Sequence, residues 1–277
     1  MSKEIKVEEN HEKQLEEMQK IIDKKESDKD AEVTKEAVKQ FKAEEGNPRV
    51  RITREERFAR EEKEKLDNWV PITQLGKDVR SGKIKNIDEI FAIGAQIMEP
   101  EIVDILIPNL QKDVLFIGQS KGKFGGGKRR IFRQTQKISK EGSSLTFGVM
   151  SVVGDGNGHV GLGYGRAGET LPAKEKAIRK AKLNLTRIPR GCASYDCSCN
   201  ELHSVPITTE GKCSSVKVKL IPAPQGTGLV ISKELKKILK AVGIKDVYSK
   251  TSGSVQTTFN AAKACMEALN KLNKLEL

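Results

Sequence analysis

Four residues near the middle of the chain carry the most specific chemistry. Cys192, Cys197, Cys199 and His203 are spaced C-x4-C-x-C-x3-H, four soft or borderline donors within twelve residues. Three thiolates and an imidazole suit a tetrahedral zinc ion. With all four positions filled by protein the site would be structural, leaving no open position for a substrate. The alternative is a set of unliganded thiols, or a site that draws Cys213 into the shell instead. Of the five cysteines, three fall within eight residues. That crowding fits a reducing compartment with a metal site better than a disulfide framework.

A second group is defined by charge. Positions 121–140 hold Lys121, Lys123, Lys128, Arg129, Arg130, Arg133, Lys137 and Lys140 with no acidic residue, interleaved with Gly122 and Gly125-Gly126-Gly127. Such a stretch reads as a flexible basic loop able to follow a phosphate chain with backbone amides and side chains. Further on, Lys174, Lys176, Arg179, Lys180 and Lys182 give a basic face to one helix, beside the pair Arg187 and Arg190. Asn157 and His159 in a hairpin turn and Arg166 at the end of its strand complete the candidate RNA contacts. His159 reads as a surface or RNA-facing side chain.

A third pattern invites a nucleotide reading. Gly156, Gly158 and Gly161 satisfy G-x-G-x-x-G. A pyrophosphate site needs those glycines to open a helix, and here a strand follows. A kinase glycine loop lies between strands, yet no Lys-bearing strand or catalytic loop comes after it. The glycines therefore read as a hairpin that lets RNA or a neighbouring backbone come close. No catalytic constellation emerges: two of the three histidines are isolated, and Asp104 and Asp113 share no apolar pocket legible from the sequence.

The elements that must position these groups fall in a clear order. Residues 1–67 hold 17 Lys+Arg against 20 Asp+Glu, and the remaining 210 residues hold 33 against 18. The chain's net charge of +12 thus belongs to the body, which carries +15. A surplus of that size points to a polyanion. The segment 1–67 reads as a charged extension, disordered or helical against a partner. Residues 68–110 read as a helical lead-in, with Ile87, Ile90, Phe91 and Ile97 near helical spacing behind Asp88 as a cap.

Over 111–190 the pattern is three strands and a helix. Strands are expected at 114–117 and 144–153, then Asp155-Gly156-Asn157-Gly158 as a hairpin turn and "HVGLGYG" as its partner strand. Alternating glycines in that strand allow another backbone to approach closely. A helix follows, with Thr170 as N-cap and Pro172 in its first turn, running to about Leu185 with Ala177, Ile178, Ala181 and Leu185 buried. Residues 191–205 form a Cys/His linker. Residues 206–277 read as a second α/β unit: a period-two strand through Val216, Val218 and Leu220, a helix over 232–242, a short strand at Val247 and Tyr248, and an amphipathic helix over 259–272. Cys265 reads as core. No long uncharged apolar span and no signal peptide are visible, so a soluble, intracellular protein is expected.

The ordered landmarks "VVGDGNGHVGLGYG", "KAIRKAKLNLTRIPRGC", "CASYDCSCNELHSVP", "VKVKLIPAPQGTGLV" and "AVGIKDVYSKTSGS" resemble the universal small-subunit ribosomal protein five family, called S five in bacteria and S two in eukaryotes. The resemblance covers about residues 69–277. The Cys/His stretch and the lead-in are similar to its archaeal and eukaryotic branch. It implies an α+β chain with a double-stranded-RNA-binding-like N-terminal domain and an S-five-type C-terminal α/β domain with a left-handed βαβ crossover. It implies a cytoplasmic structural constituent of the small ribosomal subunit, not an enzyme, that binds small-subunit rRNA near the mRNA entrance. Such a protein supports translation accuracy and mRNA entrance beside the third, fourth and eighth universal families. The other readings are a free double-stranded-RNA-binding regulator and a nucleotide-dependent enzyme built on the C-terminal fold. In the loop "PAPQGTG", Gln225 stands where the family commonly has Arg.

Overall fold

The glycine strand decides how the first layer is built. In a computed structural model, which describes residues 60, 64, 66–120, 129–199 and 201–273, strand β4 (His159–Ala167) lies against helix α4 (Thr170–Leu183). Gly161, Gly163 and Gly165 face Ala181, Ala177 and Ala173 in turn, so close that a Cβ on any of them would overlap a helix carbonyl. A strand stripped of side chains at alternate positions meets a helix stripped to alanine every fourth residue, and the two backbones approach as only such residues permit. What approaches the glycines is the chain's own helix.

Around this pair the chain adds β1 (Gln111–Leu115), β2 (Arg133–Ser139), β3 (Gly142–Gly154) and the short β5 (Leu185–Arg187). The sheet is antiparallel in the order β1-β3-β4-β5, with β2 pairing to the first half of the long β3 and β1 to its second half. The expected hairpin is present: Gly154 pairs with Val160, and Gly156 and Gly158 both take positive φ. The basic stretch, expected as a continuous loop, is a strand over its second part. Its β-branched and glutamine alternation pairs with 142–148, and Thr135 and Thr146 bond across the ladder.

Between residues 74 and 106 the short helices α1 (Gln74–Arg80), α2 (Ile87–Ile93) and α3 (Pro100–Leu106) lead into this sheet. Asp88 is not the cap of α2. Asn86 occupies that position without a side-chain bond, and Asp88 sits in the first turn. Likewise Glu169, not Thr170, is the N-cap of α4. Val79, Ile87, Ile90, Ile97, Ile102 and Val103 bury themselves against Val153, Ala181 and Leu185, each removal from water contributing about 1.5–3 kcal/mol for the larger side chains.

The second sheet runs β6-β7-β9-β8, built from β6 (Thr209–Cys213), β7 (Val216–Pro222), β8 (Leu229–Val230) and β9 (Val247–Ser252). Helix α5 (Lys233–Val242) connects β8 to the parallel β9, and α6 (Thr258–Asn273) packs on β6 and β7. Gly211 meets Ala264 and Ala268 at backbone distance, the same glycine-on-alanine device as in the first layer. The two halves are not separate cores. Leu115, Met150, Val152, Val160 and Ile188 join Val216, Leu220, Leu239, Ile244 and Leu269 in one cluster, and the unit Lys65–Leu277 is compact. The chain is thus mixed α and β with two helix-backed sheets. The charged extension 1–67 lies outside the described residues apart from 60, 64, 66 and 67.

Candidate nucleic-acid interface and metal centre

The G-x-G-x-x-G turn is occupied by protein. Gly156 N–H donates to the Ala241 carbonyl at 3.0 Å and Gly158 N–H to that of Val242 at 2.9 Å. Those carbonyls belong to the last turn of α5, which has no intrahelical donors left for them. Arg190 Nη1 donates to Gly156 O at 3.0 Å, and Gly243, at φ +88°, leaves no room for a Cβ beside that same oxygen. The amides a phosphate would require are spent holding the first sheet to the second.

The candidate RNA contacts divide into four groups. Arg130, Arg133, Lys137, Asn157, Arg166, Lys174, Arg179 and Arg187 are exposed. Arg129 and Arg190 are half-buried and bonded, to Thr258 and Gly156. Lys121, Lys123 and Lys128 lie outside the described residues. His159 and Lys182 are internal. The Lys182 ammonium lies 2.6 Å from Asp104 Oδ2, joining α4 to α3, because position 182 falls on the flank of α4 that the lead-in covers and a cation there requires a partner.

His159 is the other correction. Its side chain is 9% exposed, with Nδ1 2.7 Å from Asp155 Oδ2, Nε2 3.2 Å from Asp88 Oδ1 and a stacked Phe91 at 5.8 Å. Burial disfavours its charged form, but the hydrogen bonds and charges of Asp155 and then Asp88 outweigh that and raise its pKa. Asp155 responds in kind: burial pushes its pKa up, and the bonds from His159 and from the Asn157 amide bring it below the usual carboxylate range. The imidazole therefore binds the hairpin to α2 and does not face a ligand. Sequence alone offered no sign of this, since Asp88 is 71 residues away.

The exposed cations do not form one flat patch. Register places Arg133 opposite Gly148, which lies opposite Arg166, and Lys137 opposite Ser144. These share the face of the sheet turned away from α4, whereas Lys174 and Arg179 stand on α4 itself. Arg166 is held in place: Nε and Nη2 donate to Thr146 Oγ1 at 3.1 and 2.8 Å, and Nη2 also reaches Thr135 Oγ1 at 3.3 Å. A guanidinium fixed along one edge binds phosphate with little further loss of rotamer freedom. The two threonines are a feature the sequence reading missed.

The structure brings the four metal-ligand candidates together. One donor atom from each of Cys192, Cys197, Cys199 and His203 lies within 4.8 Å of the rest. Cys197 Sγ lies 3.6 Å from His203 Nε2 and Cys199 Sγ 3.6 Å from Cys192 Sγ, close to the roughly 3.5–3.8 Å edges of a tetrahedron with bonds of about 2.0–2.3 Å, while Cys197 Sγ and Cys199 Sγ stand closer, at 3.0 Å. The imidazole is pre-oriented: Nδ1 is 2.8 Å from Asp246 Oδ2, both side chains are buried, and Asp246 is itself fixed by the Gly228 amide at 2.7 Å. A carboxylate on the far nitrogen of a ligating histidine is the usual support for a metal. Hydrogen bonds from Cys199 and from the Gln225 amide lower the Cys197 thiol to about 6, and donation to Cys197 raises Cys199 to about 11. Cys213 lies in β6 against the core, away from this group, and Cys265 is fully buried, its thiol pushed up to about 12.

Residues 131–189 match the family model for ribosomal protein S5, N-terminal domain, and residues 211–277 that for ribosomal protein S5, C-terminal domain. The chain is 44% identical over 212 residues to small ribosomal subunit protein uS5 of Nanoarchaeum equitans, covering 76% of this chain and 91% of that one. It is 46% identical over 204 residues to the protein of the same name from Pyrobaculum islandicum, covering 74% and 94%. The chain belongs to the uS5 family. The uS5 protein of Methanobrevibacter smithii adds 43% identity over 211 residues, 76% of this chain and 92% of its own, so the similarity is to archaeal members. Membership in a ribosomal protein family makes this a structural protein and not an enzyme. In this uS5 chain the Cys/His group occupies the stretch between the two matched domains. It ties them together: Gly191 bridges to Ser204, whose Oγ donates to Asp246 O at 2.6 Å and accepts from the Ala223 amide at 3.3 Å.

Proposed function

We propose that the chain is a structural constituent of the small ribosomal subunit that binds small-subunit rRNA near the mRNA entrance, there supporting translation accuracy and mRNA entrance. The observation that carries this reading is the match to relatives named small ribosomal subunit protein uS5 across nine-tenths of their own length. The fixed Arg166 and the exposed Arg130, Arg133, Lys137, Lys174, Arg179 and Arg187 supply phosphate contacts, with Asn157 at the hairpin tip. The basic residues Lys121, Lys123 and Lys128 extend the same stretch in sequence. Three antiparallel strands backed by α4 support reading this half as a double-stranded-RNA-binding-like domain, a module that reads A-form shape instead of sequence. The parallel pairing of β8 and β9 on either side of α5 supports reading this unit as the left-handed crossover of an S-five-type domain. Neighbours are mRNA and proteins of the third, fourth and eighth universal families, in the cytoplasm.

Cys192, Cys197, Cys199 and His203 hold a structural zinc ion in this reading, which fixes the linker by direct bonds where too few residues exist to bury a core.

Sedimentation of tagged chain from cell extract tests the ribosomal role. Recovery with small subunits supports it. Recovery only as free protein, or bound to other duplex RNA, favours the free regulator instead. No helix among the described residues is long and apolar enough to cross a membrane.

A further inference from the structure

The second sheet has two unlike faces. Thr209, Gly211, Val216, Val218, Leu220 and Val247 point inward and are buried, while Glu210, Lys212, Lys217, Lys219, Tyr248 and Lys250 alternate with them and are exposed. Helix α6 packs on the inward side, where Gly211 meets Ala264, so the lysine face is free of helix among the described residues.

Register makes this face an array. Lys212 stands opposite Lys217 and Lys219 opposite Lys250, with Glu210 the single acid, opposite Lys219. Lysines elsewhere in the chain pair with carboxylates, as Lys83, Lys182 and Lys237 do, whereas these four form no ion pair among the described residues. Like charges directly opposite on neighbouring strands are destabilising. A sheet that sets two such pairs side by side is relieved by an external polyanion. Lys217 and Lys219 repeat at about 7 Å along β7, and lysine, a point charge on a flexible stem, accepts phosphates from varied directions.

We propose that this face is a second RNA-backbone-binding surface, with Lys212, Lys217, Lys219 and Lys250 contacting phosphates. The proposal rests on the rRNA-binding reading and adds a C-terminal surface to it. An acidic protein partner fits less well, because protein interfaces place apolar residues at their centre and charge at the rim. Here lysines form the centre, and Ile221, Tyr248 and Val230 lie together at one edge.

The test uses the full chain and purified small-subunit rRNA, measuring affinity across a salt series. Lys217→Gln/Lys219→Gln/Lys250→Gln is compared with Arg133→Gln/Arg166→Gln/Arg179→Gln and with wild type. The lysine triple relieves both like-charge pairs, so it unfolds at no lower denaturant concentration than wild type. The expected result is a loss of roughly tenfold or more in affinity and a log–log salt slope shallower by about two to three. Unchanged affinity and slope in the lysine triple, with the arginine triple weakened, overturns this proposal and leaves the rRNA reading standing. If neither triple changes, both fail.

Discussion

Gly158 N–H and the Val242 carbonyl meet at 2.9 Å across the joint between the two sheets. A motif whose amides in other proteins cradle phosphate here closes a helix C-terminus. Titration of the folded chain with ATP should accordingly produce no saturable binding, followed by calorimetry. Binding that protects the Gly156 and Gly158 amides from exchange would contradict this.

The glycine-on-alanine layer sets a stability prediction. Gly163→Ala drives a Cβ into the Ala177 carbonyl of α4, and overpacking a backbone contact that cannot yield costs about 3 kcal/mol. Chemical denaturation should register the loss. Gly168→Ala, at an open position, should stay within about 0.5 kcal/mol of wild type.

His159 gives a pH signature with a defined sign. Its folded pKa is raised above 6.5 by Asp155 and Asp88 against the cost of burial. Its contribution is therefore complete below about pH 6 and is lost as pH rises through the raised value. Asp155, whose folded pKa is depressed, contributes above about pH 4 and loses that contribution as pH falls further. Arg187 Nε also lies 3.3 Å from Asp88. The unfolding midpoint of wild type should decline as pH rises from about 6 through the raised His159 value, and that of His159→Asn should not.

Lys182 and Arg179 separate packing from recognition on one helix. Lys182→Ala leaves Asp104 without its partner and should cost about 1–2 kcal/mol of stability, with rRNA affinity held within about twofold. Arg179→Ala should do the reverse, leaving the unfolding midpoint in place and reducing the salt slope by about one.

Much of this architecture was legible in the sequence for reasons that are local. Asp155-Gly156-Asn157-Gly158 specifies its own turn, and the helix expected over 232–242 is α5, ended by Gly243 in the left-handed region. The Cys/His spacing brought four donors to one point because they lie within twelve residues of each other. What escaped was set by distant partners. β2 forms because 142–148 offers it a ladder, and His159 is buried because α2 covers it. Lys182 looks like any basic helix residue until Asp104 is placed beside it, 78 positions away. Thr135 and Thr146 become an arginine clamp only once three strands align.

Metal analysis addresses the linker. Purified wild-type chain should contain about one zinc per molecule and Cys197→Ser markedly less. Chelation should lower the melting temperature of the wild type more than that of the variant. A metal-free wild type with an unchanged melting curve removes zinc from the description.

The most direct measurement is the salt dependence of binding between the full chain and small-subunit rRNA. A cationic body seated on RNA phosphates predicts a log–log slope of about −4 or steeper between 50 and 200 mM salt, flattened by the arginine substitutions. A slope near zero, or affinity indifferent to those arginines, contradicts it.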